Sequence, residues 1–396
     1  MKIQLPDNQC TGCGACYIAC PQKAITLIER NDGFLYPSID TEKCISCGLC
    51  MKSCHALDIE DLTEPVSSYA VQHKDKLKLK ESTSGGAFWA LADVVVRQHG
   101  VVYGCVYDEE YNASIRRAET LREIVPMHGS KYVWSSSVES YLQAEQDLKD
   151  HKTVLYVGLP CQVAGLRHFL KKEYSNLYLV DILCGGAPSP YAFKKYLDTL
   201  STDKAGLHFQ FRDKELHGSG VDCTYYLNGR KHHEDYVQNA FYFSFSSKSK
   251  ISCRLSCYAC KYRSIQRTSD LTIGDYWGVE HYHGSFNSRE GVSVVLVNSE
   301  KGRSLFEKAS GQLLLQESDI QNVIPKNSLV KTADEGHIAV PNDRDAFFSC
   351  LREAGWRRAE KKYLMTDFRK KYLFRHSTVT IKIIHILRKL SHAIHL

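Results

Sequence analysis

Along the chain, short dense apolar runs alternate with amphipathic stretches, and the turns between them are rich in Gly, Ser and Pro. Ala87 to Val96 is an apolar stretch of helical length, entered through the hydroxyl- and glycine-rich turn Ser82-Thr83-Ser84-Gly85-Gly86. Val101-Val102-Tyr103-Gly104-Cys105-Val106-Tyr107 reads as a strand from its β-branched and aromatic residues. Val154 to Val157 is a second strand, running through Gly158-Leu159-Pro160-Cys161-Gln162 into the amphipathic Val163 to Leu170. Leu177 to Leu183 is a third, ending in Cys184-Gly185-Gly186-Ala187-Pro188-Ser189-Pro190 before a helix from Tyr191. Ser269 to Gly278 reads as a buried strand running into a glycine turn beside Tyr276 and Trp277, and its plainest role is core packing. Strands alternating with helices predict an α/β sheet, and ligand candidates at the strand ends put a site at its carboxyl edge. Residues 61 to 81 are polar, with Pro65, Lys74, Lys76, Lys78 and Lys80, and read as a linker.

Composition adds size and charge to this pattern. With 396 residues, 43% hydrophobic and 24% charged, the chain is long enough for two or more globular domains. No apolar run approaches the roughly 18 residues that span a bilayer, and MKIQLPDNQC has no apolar segment, so neither secretion nor a membrane span is expected. The net charge of +6 is uneven: residues 1 to 64 hold five Lys and Arg against nine Asp and Glu (−4), and residues 351 to 396 hold twelve against three (+9). A basic surplus confined to the tail does not describe a nucleic-acid protein. In that tail Ile383, Ile384, Ile386, Leu387, Leu390 and Ile394 are interleaved with Lys382, Arg388 and Lys389. The pattern suits a basic amphipathic helix, able to pack on protein or to lie peripherally on an anionic membrane.

Sixteen cysteines in such a chain point to metal or redox chemistry in a reducing, cytoplasmic setting rather than to disulfides. Cys10, Cys13, Cys16 and Cys20 form C-x2-C-x2-C-x3-C followed by Pro21, and Cys44, Cys47, Cys50 and Cys54 repeat it 34 residues later, followed by His55. Three cysteines at steps of three converge on one face of an iron–sulfur cubane, while the fourth points away and ligates the other cluster. Cys10, Cys13, Cys16 and Cys54 are therefore assigned to one 4Fe-4S cluster, and Cys44, Cys47, Cys50 and Cys20 to the second. Zinc needs only four ligands and gives no reason for this spacing. Residues 1 to about 60 resemble a bacterial two-cluster ferredoxin, with His55 in place of the usual proline. A third group, Cys253, Cys257 and Cys260, is C-x3-C-x2-C and lacks a fourth ligand. Spacing leaves zinc open there, with Cys161, Cys184 or Cys223 to complete it. Cys161 opens a helix, where a thiolate is favoured.

Five ordered motifs together are similar to one family. They are Ser82 to Gly86, Gly129-Ser130-Lys131-Tyr132-Val133, Gly158 to Leu166, Cys184 to Pro190, and Cys257 to Gly278. The family is the coenzyme F-420 hydrogenase/dehydrogenase beta subunit, here with a fused ferredoxin domain. The resemblance implies an α+β protein: a two-cluster 4Fe-4S ferredoxin domain over 1–62, a linker over 63–81, an α/β catalytic domain binding FAD and a further 4Fe-4S cluster over 82–345, and a basic helical tail over 346–396. Ser82, Ser84, Gly85 and Gly86 are expected on the flavin phosphates. Gly129, Ser130, Lys131 and Tyr132 are expected nearer the ring, with Lys131 as the catalytic candidate, a cation that stabilises reduced flavin. The body cluster takes Cys253, Cys257 and Cys260, with Cys161 as fourth ligand and Cys184 its competitor. Gly185 stands where the family often has histidine, which puts a proton donor there in doubt. The expected protein is an iron-sulfur flavoprotein oxidoreductase. Electrons would pass between a one-electron carrier such as ferredoxin or a partner redox enzyme, three clusters, FAD and a small organic substrate that the family name does not define. The rival reading is an electron-transfer subunit with no substrate pocket. Oligomeric state, including a homo-oligomer, stays open.

Overall fold

The computed structural model describes residues 8–57, 62–202, 206–215, 218–327 and 338–376. At the N-terminal end, β1 (Ile25–Glu29) and β2 (Leu35–Ile39) pair antiparallel beside two single-turn helices, Ala15–Ile18 and Leu49–Lys52. Gly14 (φ 80°) and Gly48 (φ 73°) open these helices at equivalent places in the two cysteine runs. Both conformations are left-handed, and a β-carbon would strain them.

The body is built on an eight-stranded sheet. Its strands are β3 (Ser67–His73), β4 (Val101–Tyr107), β5 (Ala113–Ala118), β6 (Val154–Gly158) and β7 (Leu177–Ile182). After a separate antiparallel sheet of β8 (Phe209–Phe211), β9 (Cys223–Leu227) and β10 (Arg230–Glu234) come β11 (Leu271–Asp275), β12 (Ser293–Val297) and β13 (Leu313–Ser318). The order is β13-β3-β12-β11-β7-β6-β4-β5, with β4, β6, β7 and β11 parallel in the middle. Strands β6 and β12 are buried along their whole length, as both-face coverage requires of a near-continuous apolar run. Helices Ala87–Arg97 and Glu300–Ser310 cover one face through Val94, Val95, Leu305 and Phe306 against Val102, Leu155 and Val180. On the other face, Val138–Lys149 and Pro160–Leu170 pack Tyr141, Leu148, Val163 and Leu166 on Val101, Tyr103, Val154 and Tyr156. Odd- and even-numbered residues of the same strands thus serve opposite layers. Cys13 and Ala15 join the second layer, so the ferredoxin lobe sits directly on the sheet's helices.

Two expectations are corrected. The stretch 63–81 is not a linker: β3 lies between β12 and β13 in the main sheet, and Lys76–Glu81 is a helix capped by Asp75. Its polar residues misled because tertiary partners satisfy them: Ser68 Oγ donates to Ser318 O, and Gln72 Nε2 to Asn287 O and Gly291 O (3.0 and 2.9 Å). Nor does a free tail begin at 346. The helix Arg344–Ala359 buries Phe347, Phe348, Leu351 and Trp356 in an aromatic core with Phe193, Phe211 and Phe241. Arg344 pairs with Asp32 of the ferredoxin lobe at 2.9 Å, a buried contact across the two lobes. Asp367–Arg375 follows, and the segment expected to contact membranes, 377–396, lies outside the described residues. Among the described residues no helix is long and apolar enough to cross a membrane.

Candidate functional site

The eight N-terminal cysteines fall into two groups by mutual repulsion. Cys16 is raised above the ordinary thiol range by burial and by Cys13, Cys10 and Cys54. Cys13 is pushed up to about 12, first by burial and then by Cys54 and Cys10. Cys50 is raised by burial, Cys20 and Cys47, and these three line one cavity of about 90 Å³ with Cys44. The fourth cysteine of each run therefore lies with the other run's first three. The first group is deep, with Cys10, Cys13 and Cys54 buried, while Cys47 of the second is exposed. His55, standing where a proline was usual, is buried: its Nε2 is 2.9 Å from Thr11 Oγ1 and its Nδ1 2.8 Å from the Tyr262 hydroxyl.

In the body, five cysteines converge. Cys161 opens the helix Pro160–Leu170, Cys184 follows β7, and Cys253, Cys257 and Cys260 come from the excursion between β7 and β11. Burial raises Cys161 well above the ordinary range, followed by Cys260, Cys184 and Cys257. Helix position does not make it a free thiolate, because desolvation outweighs the helix end. Cys184 is pushed up to about 12 by burial, then by Cys257. Cys253 also reaches about 12, by burial and then Cys257, with Cys184 next among its thiol neighbours. Gly186 (φ 125°) lets this loop close, since a β-carbon there would lie 3.1 Å from Cys253 Sγ. Cys223 is not in the group: it lies on β9, in the aromatic core. These buried soft donors, whose thiols are too crowded and desolvated to ionise without a cation, fit iron–sulfur ligation.

Beside the thiols, a cavity of about 540 Å³ opens over the carboxyl ends of β4, β6, β7 and β11, where Gly104, Gly158, Ile182 and Gly274 line it. The sequence-derived residues Ser82, Ser84, Gly86, Gly129, Ser130, Lys131 and Tyr132 all line it. Gly85 does not: it is tied beneath the loop, accepting from His73 N (2.7 Å) and donating to Ser293 Oγ (2.8 Å), and a β-carbon would meet Val71 O at 2.2 Å. Thr83 joins the two loops, its Oγ1 accepting from Ser130 N at 2.8 Å. Lys214 anchors the first, donating to Leu79 O, Ser84 O and Glu290 O at 2.9, 2.7 and 2.6 Å. Lys131 donates to His128 O at 2.5 Å, and burial lowers it to about 8. Both ring nitrogens of His128, at the cavity wall, lack hydrogen-bond partners.

Sequence reasoning missed Thr83, Lys214, Arg212 and the role of Asp275. Arg212, buried in the wall, pairs with Asp275 at 2.8 Å, donates to the Tyr132 hydroxyl at 3.0 Å and lies 5.2 Å from the Trp277 ring. No spacing signal announces it, because the chain segments that meet there are more than 60 residues apart. Cys184 and Gly186 belong to the cavity wall as well as to the thiol loop, so the two sites are continuous.

Sulfur-lined sites running into a cavity at a parallel sheet's carboxyl edge define an iron–sulfur protein of the oxidoreductase class. The body belongs to the coenzyme F420 hydrogenase/dehydrogenase beta-subunit family, matching the description of its C terminus over residues 151–323, and residues 9–56 match the 4Fe-4S dicluster domain. Among relatives, an uncharacterised protein of Methanocaldococcus jannaschii is 22% identical over 341 residues, 76% of this chain and 87% of the relative. The coenzyme F420-dependent sulfite reductase of the same organism is 22% identical over 321 residues, 75% of this chain and 45% of that protein. The chain thus spans less than half of the reductase's length. A chain of the F420-reducing [NiFe] hydrogenase complex from Methanosarcina barkeri, solved as a xenon derivative, is 16% identical with a TM-score of 0.44, covering 74% of this chain and 96% of that one.

Proposed function

We propose that this is an iron–sulfur flavoprotein oxidoreductase, exchanging electrons with an external one-electron carrier or partner redox enzyme and acting on a small organic substrate in a reducing, cytoplasmic setting. The observation that carries the reading is the double membership of Cys184, in both the thiol group and the cavity wall. When bound, clusters would supply single-electron transfer and FAD the conversion to hydride chemistry.

The residues fit both groups. Cys10, Cys13, Cys16 and Cys54 would hold the inner ferredoxin cluster, and Cys20, Cys44, Cys47 and Cys50 the outer one. In the body, Cys161, Cys257, Cys260 and Cys184 make the better quartet, because Cys161 is crowded chiefly by the other three while Cys253 stands on the far side of Cys257 and Cys184. Cys253 would then be a fifth, non-ligating thiol. For FAD, a cavity of about 540 Å³ is of ordinary cofactor-site size. Ser82, Ser84 and Gly86 lead into the positive end of the helix Ala87–Arg97, which suits a pyrophosphate. Lys131 brings a buried cation, and the unpartnered His128 nitrogens await a polar ligand. The Arg212–Asp275 pair fixes the Tyr132 hydroxyl, and the cavity walls keep bulk water from the cluster side. A cavity of this size counts against a carrier with no pocket of its own.

Anaerobically purified protein is expected to hold about twelve irons and one flavin per chain, from three four-iron clusters. A colourless, zinc-loaded and folded protein overturns the reading. Cys184→Ser is expected to abolish the body cluster's EPR signal and Cys253→Ser to leave it; the reverse restores Cys253 to the quartet.

A further inference from the structure

Arg254 belongs by its backbone to the body and by its side chain to the ferredoxin lobe. Its N–H donates to Ala187 O at 3.0 Å, and its carbonyl accepts from Cys257 N at 3.0 Å, fixing it to the body thiol loop. The side chain is 1% exposed. Nε donates to Cys10 O at 2.7 Å, while one terminal nitrogen donates to Leu35 O at 2.8 Å and lies 3.5 Å from Cys10 Sγ. The guanidinium carbon is 4.2 Å from the Tyr36 ring centre, with Phe34 and Trp134 at 5.1 and 5.8 Å. The other terminal nitrogen has no hydrogen-bond partner, and Gly12 makes room for it: a β-carbon there would lie 2.8 Å away. The nearby carboxylate, Asp32, is engaged by Arg344 and the Tyr36 hydroxyl.

A buried cation without a carboxylate, in a pocket built around it, implies that its counter-charge is the group held by Cys10. Burial alone would make the inner cluster the harder of the pair to reduce, because low dielectric penalises added negative charge. An electron would then stay on the outer site, where Cys47 meets solvent and the hydrogen bond to Cys20 Sγ comes from a backbone amide, that of Ala24. Hydrogen bonds to ligand sulfurs and local charge are the means by which a protein sets such potentials.

Resting on the cluster assignment above, we propose that Arg254 is a positioning residue that holds the reduction potential of the inner ferredoxin cluster at or above that of the outer one. One electron then passes inward, oxidising the outer cluster and reducing the inner. Arg254 thereby makes the joint between lobes the electrical contact as well as the mechanical one.

The test is an EPR-monitored redox titration of the full chain with dithionite as reductant, the outer signal being identified by its perturbation in Cys47→Ser. In Arg254→Met the inner signal is expected to move to lower potential with the outer unmoved. The share of a single electron on the inner cluster should fall on the order of tenfold, the effect of losing one charge-assisted hydrogen bond. Arg254→Lys, which keeps the charge, should retain most of the wild-type value. If the Met variant does not keep its ferredoxin-lobe iron, Arg254→Gln replaces it under the same criteria, since its amide can still reach the Cys10 carbonyl. Loaded variants whose two potentials are unmoved, or move equally, overturn the inference alone. A wild-type protein without two ferredoxin-type signals fails the cluster assignment and the inference with it.

Discussion

Gly165 packs so closely on Cys13 that a β-carbon at that position would lie 3.0 Å from the cysteine's sulfur and 2.8 Å from its own β-carbon. Gly165 is one turn beyond Cys161 on the same helix, so a single glycine sets the approach of the inner ferredoxin thiols to the body thiols.

Gly165→Ala is expected to destabilise the protein by about 1–3 kcal/mol through overpacking, because Tyr141 Oη also lies 2.6 Å from the new methyl. Thermal unfolding measures the cost. The same variant should weaken magnetic coupling between the inner and body clusters, which EPR at low temperature reads.

Lys131 offers a pH test. Burial lowers its folded pKa to about 8, below the roughly 10.4 of an unfolded lysine. Below pH 8 both states are protonated, and the burial penalty on the charge is fully present. Between about 8 and 10.4 the unfolded state binds more protons, so this group's contribution to stability rises with pH. Binding of an anionic flavin should move the opposite way, weakening as pH passes 8 and the cation is lost. Lys131→Met should remove both trends in unfolding and flavin-titration curves. Lys214, lowered to about 8 by burial, keeps its own share of the stability trend.

Lys214→Met removes the donor shared by Leu79 O, Ser84 O and Glu290 O. The expected cost is about 2 kcal/mol for buried carbonyls left without a partner, with looser flavin retention on desalting. A variant that keeps wild-type flavin affinity would show that the Ser82–Gly86 loop holds its shape without this anchor.

Iron removal should act unequally on the two lobes. Residues 8–57 have one hairpin and two single-turn helices, too little regular structure to hold their fold without metal. The body has its own sheet and aromatic core. Chelation under anaerobic conditions is expected to make the N-terminal lobe protease-sensitive while the body remains resistant.

The cysteine runs were legible because cluster ligation needs a local spacing that a linear sequence displays directly. So were the central strands and the loops Ser82–Gly86 and Gly129–Tyr132, since buried parallel strands are apolar and their turns carry glycine and hydroxyls. The strand Ser67–His73 was not, because its Ser and Gln residues look solvent-facing until Ser318, Asn287 and Gly291 supply their partners. Arg344 to Arg375 looked like tail for a similar reason: its charges hide Phe347, Phe348 and Trp356, and its arginines are satisfied by residues far away in sequence.

By itself the sequence determined which atoms could ligate iron in the ferredoxin lobe, and where the flavin loops lie. The tertiary structure decided which of five body thiols face one another, how Arg212 and Asp275 meet, and that Arg254 crosses from one lobe into the other. The physical reason is range: spacing records contacts made within a turn or two of chain, whereas buried charge is matched by groups that only the folded sheet and its docked lobe bring within a few ångströms.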